Sequence, residues 1–185
     1  MQPNISAIIL AGGKASRMNH VNKGLQLFRD KPLIQYVIER LQGQVDDIVI
    51  SANADIDRYQ KFGLQVASDI GTSKGPLSGV QAAAKLTRHD VILVTACDMP
   101  FLPTNIVLEL QSGTEGVVVA ESNSGIEPLV SLVNQAAIAT IQNRIDEGKL
   151  SVLSWLNQNN ATRKDLTRLD PEAFYNINSL DELFD

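Results

Sequence analysis

The sequence Ile5-Ser6-Ala7-Ile8-Ile9-Leu10-Ala11-Gly12-Gly13 is an apolar run that stops abruptly at two glycines. A short run rich in isoleucine is typical of a strand buried on both faces of a mostly parallel sheet. Paired glycines after such a strand let the backbone approach a ligand and present N–H groups to an oxyanion, although a simple turn has the same pattern. We therefore predict a strand over Ile5–Leu10 and a candidate ligand loop directly after it.

Similar apolar runs recur along the chain and alternate with helical patterns. Further strands are predicted over residues 48–52, 64–67, 91–95, 116–120 and 129–133. Helices are predicted after Pro32, Pro76 and Pro103, over residues 134–147 with Gly148 as the stop, after Ser151, and after the capping box at Ser179. This alternation predicts an α/β fold, a three-layer α/β/α sandwich with a mostly parallel sheet, in one domain spanning residues 1–185.

Composition excludes several classes of protein. The 185 residues fit one domain, and the 44% hydrophobic and 20% charged fractions are those of a globular chain, not a disordered or fibrous one. No apolar run approaches the roughly 20 residues of a membrane span, and the N-terminus lacks the pattern of a signal peptide. The single Cys97 cannot form an intrachain disulfide. We expect a soluble, cytoplasmic protein.

The charges are distributed unevenly along the chain. The net charge is −5, which argues against a nucleic-acid or anionic membrane partner. Residues 1–29, however, contain Lys14, Arg17, Lys23 and Arg29 and no acidic residue, so this segment is +4 and the remainder is −9. A cationic opening on an acidic chain suits a pocket for a small, highly charged anion, and a chance cluster of solvated cations explains it equally well.

Three loops follow predicted strands, at residues 11–24, 68–75 and 97–102. In open α/β sheets, ligands bind beyond the carboxyl ends of the strands. The first loop has neither the spacing of the Walker A phosphate loop nor that of the dinucleotide fingerprint. It reads Leu10-Ala11-Gly12-Gly13-Lys14-Ala15-Ser16-Arg17-Met18-Asn19-His20-Val21-Asn22-Lys23-Gly24-Leu25.

This loop resembles the signature of the molybdenum cofactor guanylyltransferases, which belong to a wider nucleotidyltransferase group that includes sugar-nucleotide pyrophosphorylases. The resemblance spans nearly the whole chain in the expected order. It continues through Asp30-Lys31-Pro32-Leu33, Ser51-Ala52-Asn53, Gly75-Pro76-Leu77-Ser78-Gly79, Cys97-Asp98-Met99-Pro100-Phe101-Leu102-Pro103 and Phe174-Tyr175-Asn176-Ile177-Asn178-Ser179.

The resemblance implies a Rossmann-like sheet of nucleotidyltransferase type and transfer of GMP from GTP to molybdopterin-bound molybdenum, with release of pyrophosphate. It implies Mg²⁺ as the cofactor, and GTP and the molybdopterin cofactor as partners, with molybdenum-insertion proteins and apo-molybdoenzymes as candidate protein partners. Cytidylyl-transferring relatives typically read Leu-Ala-Ala-Gly, so Gly12 favours guanine. The nucleotide contacts that the resemblance implies are Leu10, Ala11, Gly12, Gly13, Lys23, Asn53, Asp69 and Asp98, the last also holding Mg²⁺.

Physical chemistry gives the charged residues matching roles, each with a structural alternative. Asp98, after a buried strand, would hold Mg²⁺ or form a turn. Lys23 and Arg17 would neutralise charge on the phosphates; alternatively, Lys23 is a solvated loop residue and Arg17 pairs with a carboxylate at the sheet rim. Asp69 would accept from the guanine N1–H or amine, or cap a turn. Asn176 and Asn178 would line the pterin side or cap the closing helix.

The sequence departs from the family pattern at several positions. Asn19 and His20 replace common glycines, Asn22 replaces an Asp, Glu127 replaces a His before Pro128, and Lys149 replaces an Arg. The departures at Asn22 and Glu127 motivate a rival hypothesis, a nucleotide-binding accessory protein that retains the fold and lacks turnover. Among enzymes, the alternatives are cytidylyl transfer to the same cofactor and nucleotide transfer to a sugar phosphate.

Overall fold

The computed structural model describes residues 4–12, 22–69, 75–111 and 116–177. The strands are β1 (Ile5–Leu10), β2 (Leu27–Phe28), β3 (Lys31–Pro32), β4 (Asp47–Ser51), β5 (Gln65–Ala67), β6 (Val91–Ala96), β7 (Val118–Ser122), β8 (Gly125–Asn134) and β9 (Thr162–Asp165). The helices are α1 (Leu33–Leu41), α2 (Ile56–Gln60), α3 (Pro76–Ala84), α4 (Ile106–Gln111), α5 (Gln135–Ala139), α6 (Ile141–Asp146) and α7 (Val152–Gln158), with a 3₁₀ turn at Lys23–Leu25.

The main sheet has seven strands in the order β5-β4-β1-β6-β8-β7-β9. Strand β1 pairs in parallel with β4 on one side and with β6 on the other. Strand β8 pairs antiparallel with both β6 and β7, so it alone runs against the others in this sheet. The predicted mostly parallel sheet is confirmed, and the apolar β1 lies inside it.

Helices cover both faces of the sheet. Successive β1 side chains point to opposite faces, so β1 contributes to the core on each side. Ala7 and Ile9 pack into one hydrophobic cluster, which includes residues of α1 and α4. Ile8 and Leu10 pack into a second cluster, which includes residues of α3, α6 and α7. The predicted α/β/α layering is therefore confirmed.

The prediction of one continuous helix over residues 134–147 is wrong, because the segment forms two helices, α5 and α6, that are separated at Thr140. The Thr140 hydroxyl donates to the Ala137 carbonyl at 2.7 Å and accepts from the Trp155 indole N–H at 3.0 Å. A threonine that bonds back to the preceding turn competes with the helical hydrogen-bond ladder. The predicted cap at Ser151 is confirmed, because its side chain accepts from the Ser154 N–H. Asn134 caps α5 in the same way by accepting from the Ala137 N–H, which was not predicted.

Several short elements were not predicted. Strands β2 and β3 form a separate hairpin whose turn residues, Arg29 and Asp30, have φ values of 47° and 66°. Glycine or asparagine normally signals such a turn, and this hairpin has neither. Strand β9 pairs in parallel with β7 at the sheet edge, and its polar sequence lacks the apolar signal of a buried strand.

The chain order fixes where a ligand site is expected. From β1 the chain moves outward to β4 and β5, then returns through α3 to β6 on the opposite side of β1. The connections that leave β1 and β6 therefore run in opposite directions along the sheet. Two adjacent strands whose connections part in this way form a topological switch point, and α/β sheets bind ligands there. No helix among the described residues is long and apolar enough to span a bilayer.

Candidate active site

The carboxyl ends of β1, β4, β5 and β6 are joined by backbone hydrogen bonds that continue just past the strands. The Ala11 N–H donates to the Ser51 carbonyl at 2.8 Å, and the Cys97 N–H donates to the Leu10 carbonyl at 3.1 Å. Leu10 and Ala11 are buried, whereas Gly12 is exposed at the start of the loop. These bonds make a rigid edge from which the candidate site residues project.

Lys23 and Asp98 meet at the switch point although they are 75 residues apart in sequence. The Lys23 ammonium donates to Oδ2 of Asp98 at 2.6 Å, and the two side chains are 34% and 12% exposed. Asp98 lies just past the end of β6, after Cys97, and Lys23 begins the 3₁₀ turn. A cation and a carboxylate therefore meet near the end of β1, because Cys97, the residue before Asp98, is bonded to Leu10.

Asn53 and Asp69 form a second pair, after β4 and β5. The Asn53 amide donates to Oδ2 of Asp69, and the Asp69 backbone N–H donates to Oδ1 of Asn53, both at 2.9 Å. Oδ1 of Asp69 is buried and has no hydrogen-bond partner among the described residues. A β-carbon at Gly12 would lie 3.5 Å from the Asn53 amide nitrogen, so this pair adjoins the glycine loop.

The C-terminal segment is also attached to this edge. The Ile177 N–H donates to the Asp98 carbonyl at 3.0 Å, which places the half-buried Asn176 next to a residue bonded to the site. Ile177 packs with Phe28 and Leu33 in a small apolar cluster that holds this segment down. The described chain thus brings Asn176 near Asp98.

Other predicted site residues fall outside the described residues, namely Gly13, Arg17 and Asn178. Cys97 is described, and it packs as a buried thiol. Burial, and secondarily the neighbouring Asp98 charge, raise the pKa of the Cys97 thiol, so it carries a proton at neutral pH. Glu127, one of the positions that depart from the family pattern, is also described, and its carboxylate accepts a hydrogen bond from the Ser122 hydroxyl at 2.7 Å.

A set of hydrogen bonds next to the site was missed by the sequence analysis. The Tyr59 hydroxyl donates to Oδ1 of Asn22 at 2.5 Å, and the Asn22 amide donates to Oδ2 of Asp55 at 3.2 Å. Tyr59 belongs to α2, a five-residue helix too short for a reliable apolar stripe. No local pattern connects these residues, since Asn22 and Tyr59 are 37 positions apart.

Comparison with known proteins gives one consistent family. The family model described as the MobA-like NTP transferase domain matches residues 7–162. The chain is 36% identical over 188 residues to the molybdenum cofactor guanylyltransferase of Pasteurella multocida (strain Pm70), with 99% of each chain covered. It is 37% identical to that of Histophilus somni (strain 2336), over 99% of this chain and 96% of the relative.

Solved structures confirm the fold at lower sequence identity. Molybdopterin-guanine dinucleotide biosynthesis protein A from Archaeoglobus fulgidus superposes with a TM-score of 0.77 at 22% identity, covering 96% of this chain and 94% of that one. A nucleotidyl transferase from Methanothermobacter thermautotroptrophicus gives 0.75 at 16% identity, covering 97% and 94%. The chain therefore belongs to the MobA-like NTP transferases and, among them, to the molybdenum cofactor guanylyltransferases.

Proposed function

We propose that this protein transfers GMP from GTP to the terminal phosphate of molybdenum-bound molybdopterin, with release of pyrophosphate, in a Mg²⁺-dependent reaction. The observation that carries the proposal is the contact between Lys23 and Asp98 at the switch point of the sheet. The full-length similarity to molybdenum cofactor guanylyltransferases supports the choice of nucleotide and acceptor. The substrates are GTP and the molybdopterin cofactor.

The nucleotide would lie across the carboxyl ends of β1, β4 and β5. The exposed backbone at Gly12 is suited to approach the phosphates, because a glycine leaves room for an oxyanion near the N–H groups. The Asp69 oxygen that lacks a partner among the described residues is suited to accept from guanine, which presents adjacent N1–H and N2 donors. Asn53 holds that carboxylate in place from the other side.

The donor chemistry of Asp98 fits a Mg²⁺ ion. Mg²⁺ prefers one or two carboxylate oxygens together with phosphate and water oxygens, so a single protein carboxylate is sufficient. Among the residues that the structure describes, no group of three or more Asp, Glu, His or Cys side chains is arranged to hold a metal ion. We propose Asp98 as the protein ligand on the family resemblance and on its place at the end of β6. When bound, the ion would supply Lewis-acid polarisation of the α-phosphate.

In the reaction, an oxygen of the molybdopterin phosphate attacks the α-phosphorus of GTP while the bond to the β-phosphate oxygen breaks. The electron pair of that bond leaves with pyrophosphate. Lys23 would neutralise the charge that develops on the transferred or leaving group; the contact of its ammonium with Asp98, the proposed metal ligand, supports this role. The chemistry requires no covalent enzyme nucleophile, and Cys97 is therefore assigned no catalytic role.

The test is pyrophosphate release by the purified protein with GTP, Mg²⁺ and the molybdopterin cofactor. We expect Asp98→Asn to lower metal-dependent turnover by about a hundredfold or more, since it removes the proposed metal-binding charge. Asp146→Asn, the same change at an exposed position of α6, is the matched control and should retain full turnover. Unchanged turnover of Asp98→Asn would contradict the role of Asp98.

The nucleotide dependence of the same assay separates the alternatives. Turnover with CTP in place of GTP would assign the protein to cytidylyl transfer. Nucleotide binding without pyrophosphate release would favour the accessory-protein hypothesis, which the departures at Asn22 and Glu127 motivate.

A further inference from the structure

The residue that precedes Lys23 is held by two side chains from the α2 region. Asn22 accepts a hydrogen bond from the Tyr59 hydroxyl through Oδ1 and donates one to Asp55 through Nδ2, at 2.5 and 3.2 Å. Tyr59 is completely buried, so its hydroxyl position is set by packing. Asp55 precedes α2 with a left-handed φ of 54°, and the Arg58 guanidinium lies 3.8 Å from its other oxygen.

The direction of both hydrogen bonds follows from the partners. Burial raises the pKa of Tyr59 above its ordinary value, which is already well above neutrality, so the phenol keeps its proton and donates it to residue 22. The Asp55 carboxylate, when ionised, can only accept. Residue 22 must therefore accept on one side and donate on the other, which an amide does and a carboxylate does not.

The backbone on the other side of Lys23 is equally constrained. A β-carbon at Gly24 would lie 2.7 Å from the Tyr59 hydroxyl oxygen and 3.1 Å from the Cys97 sulfur, which is closer than side chains normally approach. Tyr59 therefore contacts the segment both before and after Lys23. Cys97 immediately precedes Asp98, so the same packing fixes both partners of the Lys23–Asp98 ion pair relative to each other.

We propose that Asn22 is a positioning residue that aims Lys23 at the reaction site, and that Asn22 and Asp55 form a matched pair in which an amide must face a carboxylate. An aspartate at position 22 would place two carboxylates at hydrogen-bonding distance and break the bond to Asp55. The functional part of this inference rests on the proposed role of Lys23, and the Asn22 contacts themselves are independent of it.

The experiment is a set of variants at positions 22 and 55. Asn22→Asp should lower kcat/KM for GTP by about tenfold, because like charges replace a hydrogen bond. Asp55→Asn should stay within about twofold of wild type, because its amide oxygen still accepts from Asn22. The double variant Asn22→Asp/Asp55→Asn should recover activity, because the new carboxylate at position 22 would accept from both Tyr59 and the new amide at position 55. Asparagine also tolerates the left-handed backbone at position 55.

Two controls separate positioning from a general effect on folding. Asn143→Asp introduces the same charge at an exposed position of α6 and should leave kcat/KM unchanged. In a Lys23→Gln background, Asn22→Asp should cost less than about twofold, since a residue that acts through Lys23 has no effect without it. An undiminished tenfold loss in that background, or no rescue by the double variant, would overturn the positioning role.

Crystal structures of the variants test the contacts without reference to catalysis. We expect the Lys23–Asp98 ion pair to be lost in Asn22→Asp and to return in the double variant. An ion pair unchanged in Asn22→Asp refutes the positioning of Lys23, whether or not the protein turns over GTP. If the ion pair is present in wild type, lost in Asn22→Asp and restored in the double variant, but wild type releases no pyrophosphate, then the proposed function fails and the matched pair stands.

Discussion

At the scale of single residues, Asp69 has one carboxylate oxygen that the described residues leave unused. Asn53 occupies Oδ2, while Oδ1 is buried and lacks a described partner. Asp69→Asn should keep the bond from Asn53 through its amide oxygen and turn the amide N–H₂ toward the donors of guanine. The amide N–H₂ of residue 69 and the N–H groups of guanine are all donors, so no hydrogen bond forms between them. We therefore expect GTP affinity to fall about ten- to hundredfold.

Titration calorimetry with GTP measures this loss. The unliganded protein should unfold at the wild-type temperature, since the Asn53 bond is retained, and Asp146→Asn should bind GTP as wild type does. Equal GTP affinity in wild type and Asp69→Asn would show that Asp69 does not contact the base.

The family resemblance named Asp98, Asn53 and Asp69 as site residues. The strand pattern adds that each lies just past a predicted strand, at the edge that the carboxyl ends of parallel strands share. The pairing of Lys23 with Asp98 was not predicted, because contact between loops depends on side-chain direction. Tyr59 was missed because its hydroxyl reaches the site from a short helix whose position is set by packing.

At the scale of elements, α3 approaches the sheet at Gly79. A β-carbon there would lie 2.5 Å from the Ser51 hydroxyl oxygen and 3.1 Å from Cδ2 of Leu10. In an exposed helix, Gly→Ala stabilises by about 1 kcal/mol. Here overpacking against β1 and β4 should outweigh that gain, so we expect Gly79→Ala to destabilise the protein by about 1–3 kcal/mol.

Urea unfolding measures this change, and Ser51→Ala is the compensating variant. Removal of the Ser51 hydroxyl should recover part of the stability in the Gly79→Ala background, with the Leu10 contact accounting for the remainder. If Gly79→Ala instead stabilised the protein, the gain in helix propensity would outweigh the overpacking, and α3 would be free to move away from the sheet.

The elements that the sequence predicted correctly are those that bury apolar stripes. Strand β1 and helices α1 and α3 each bury such a stripe, and their bounds agree with the prediction to within a few residues. Strand β9 is polar because it lies at the sheet edge, where it pairs only with β7 and most of its residues are exposed. The break at Thr140 depends on Trp155 of α7, a tertiary contact that a local pattern does not contain.

At the scale of the whole molecule, the proposed GTP site draws on β1, β4, β5 and β6, which form the centre of the sheet and one of its edges. A ligand bound across them should stabilise the fold as a unit. GTP at about 100 times its Kd adds about 2.7 kcal/mol. In a chain of this size that should raise Tm by about 5–10 °C.

Thermal unfolding with GTP, CTP, ATP and UTP, each with and without Mg²⁺, measures the specificity. We expect the largest shift with GTP and Mg²⁺ together, because the nucleotide brings about four negative charges to a site that already contains Asp98. Lys23 offsets only part of that repulsion, so Mg²⁺ should strengthen binding in wild type and much less in Asp98→Asn. An equal Mg²⁺ effect in both proteins would mean that the ion binds to the nucleotide without Asp98. A shift with CTP and not with GTP would instead assign the protein to cytidylyl transfer.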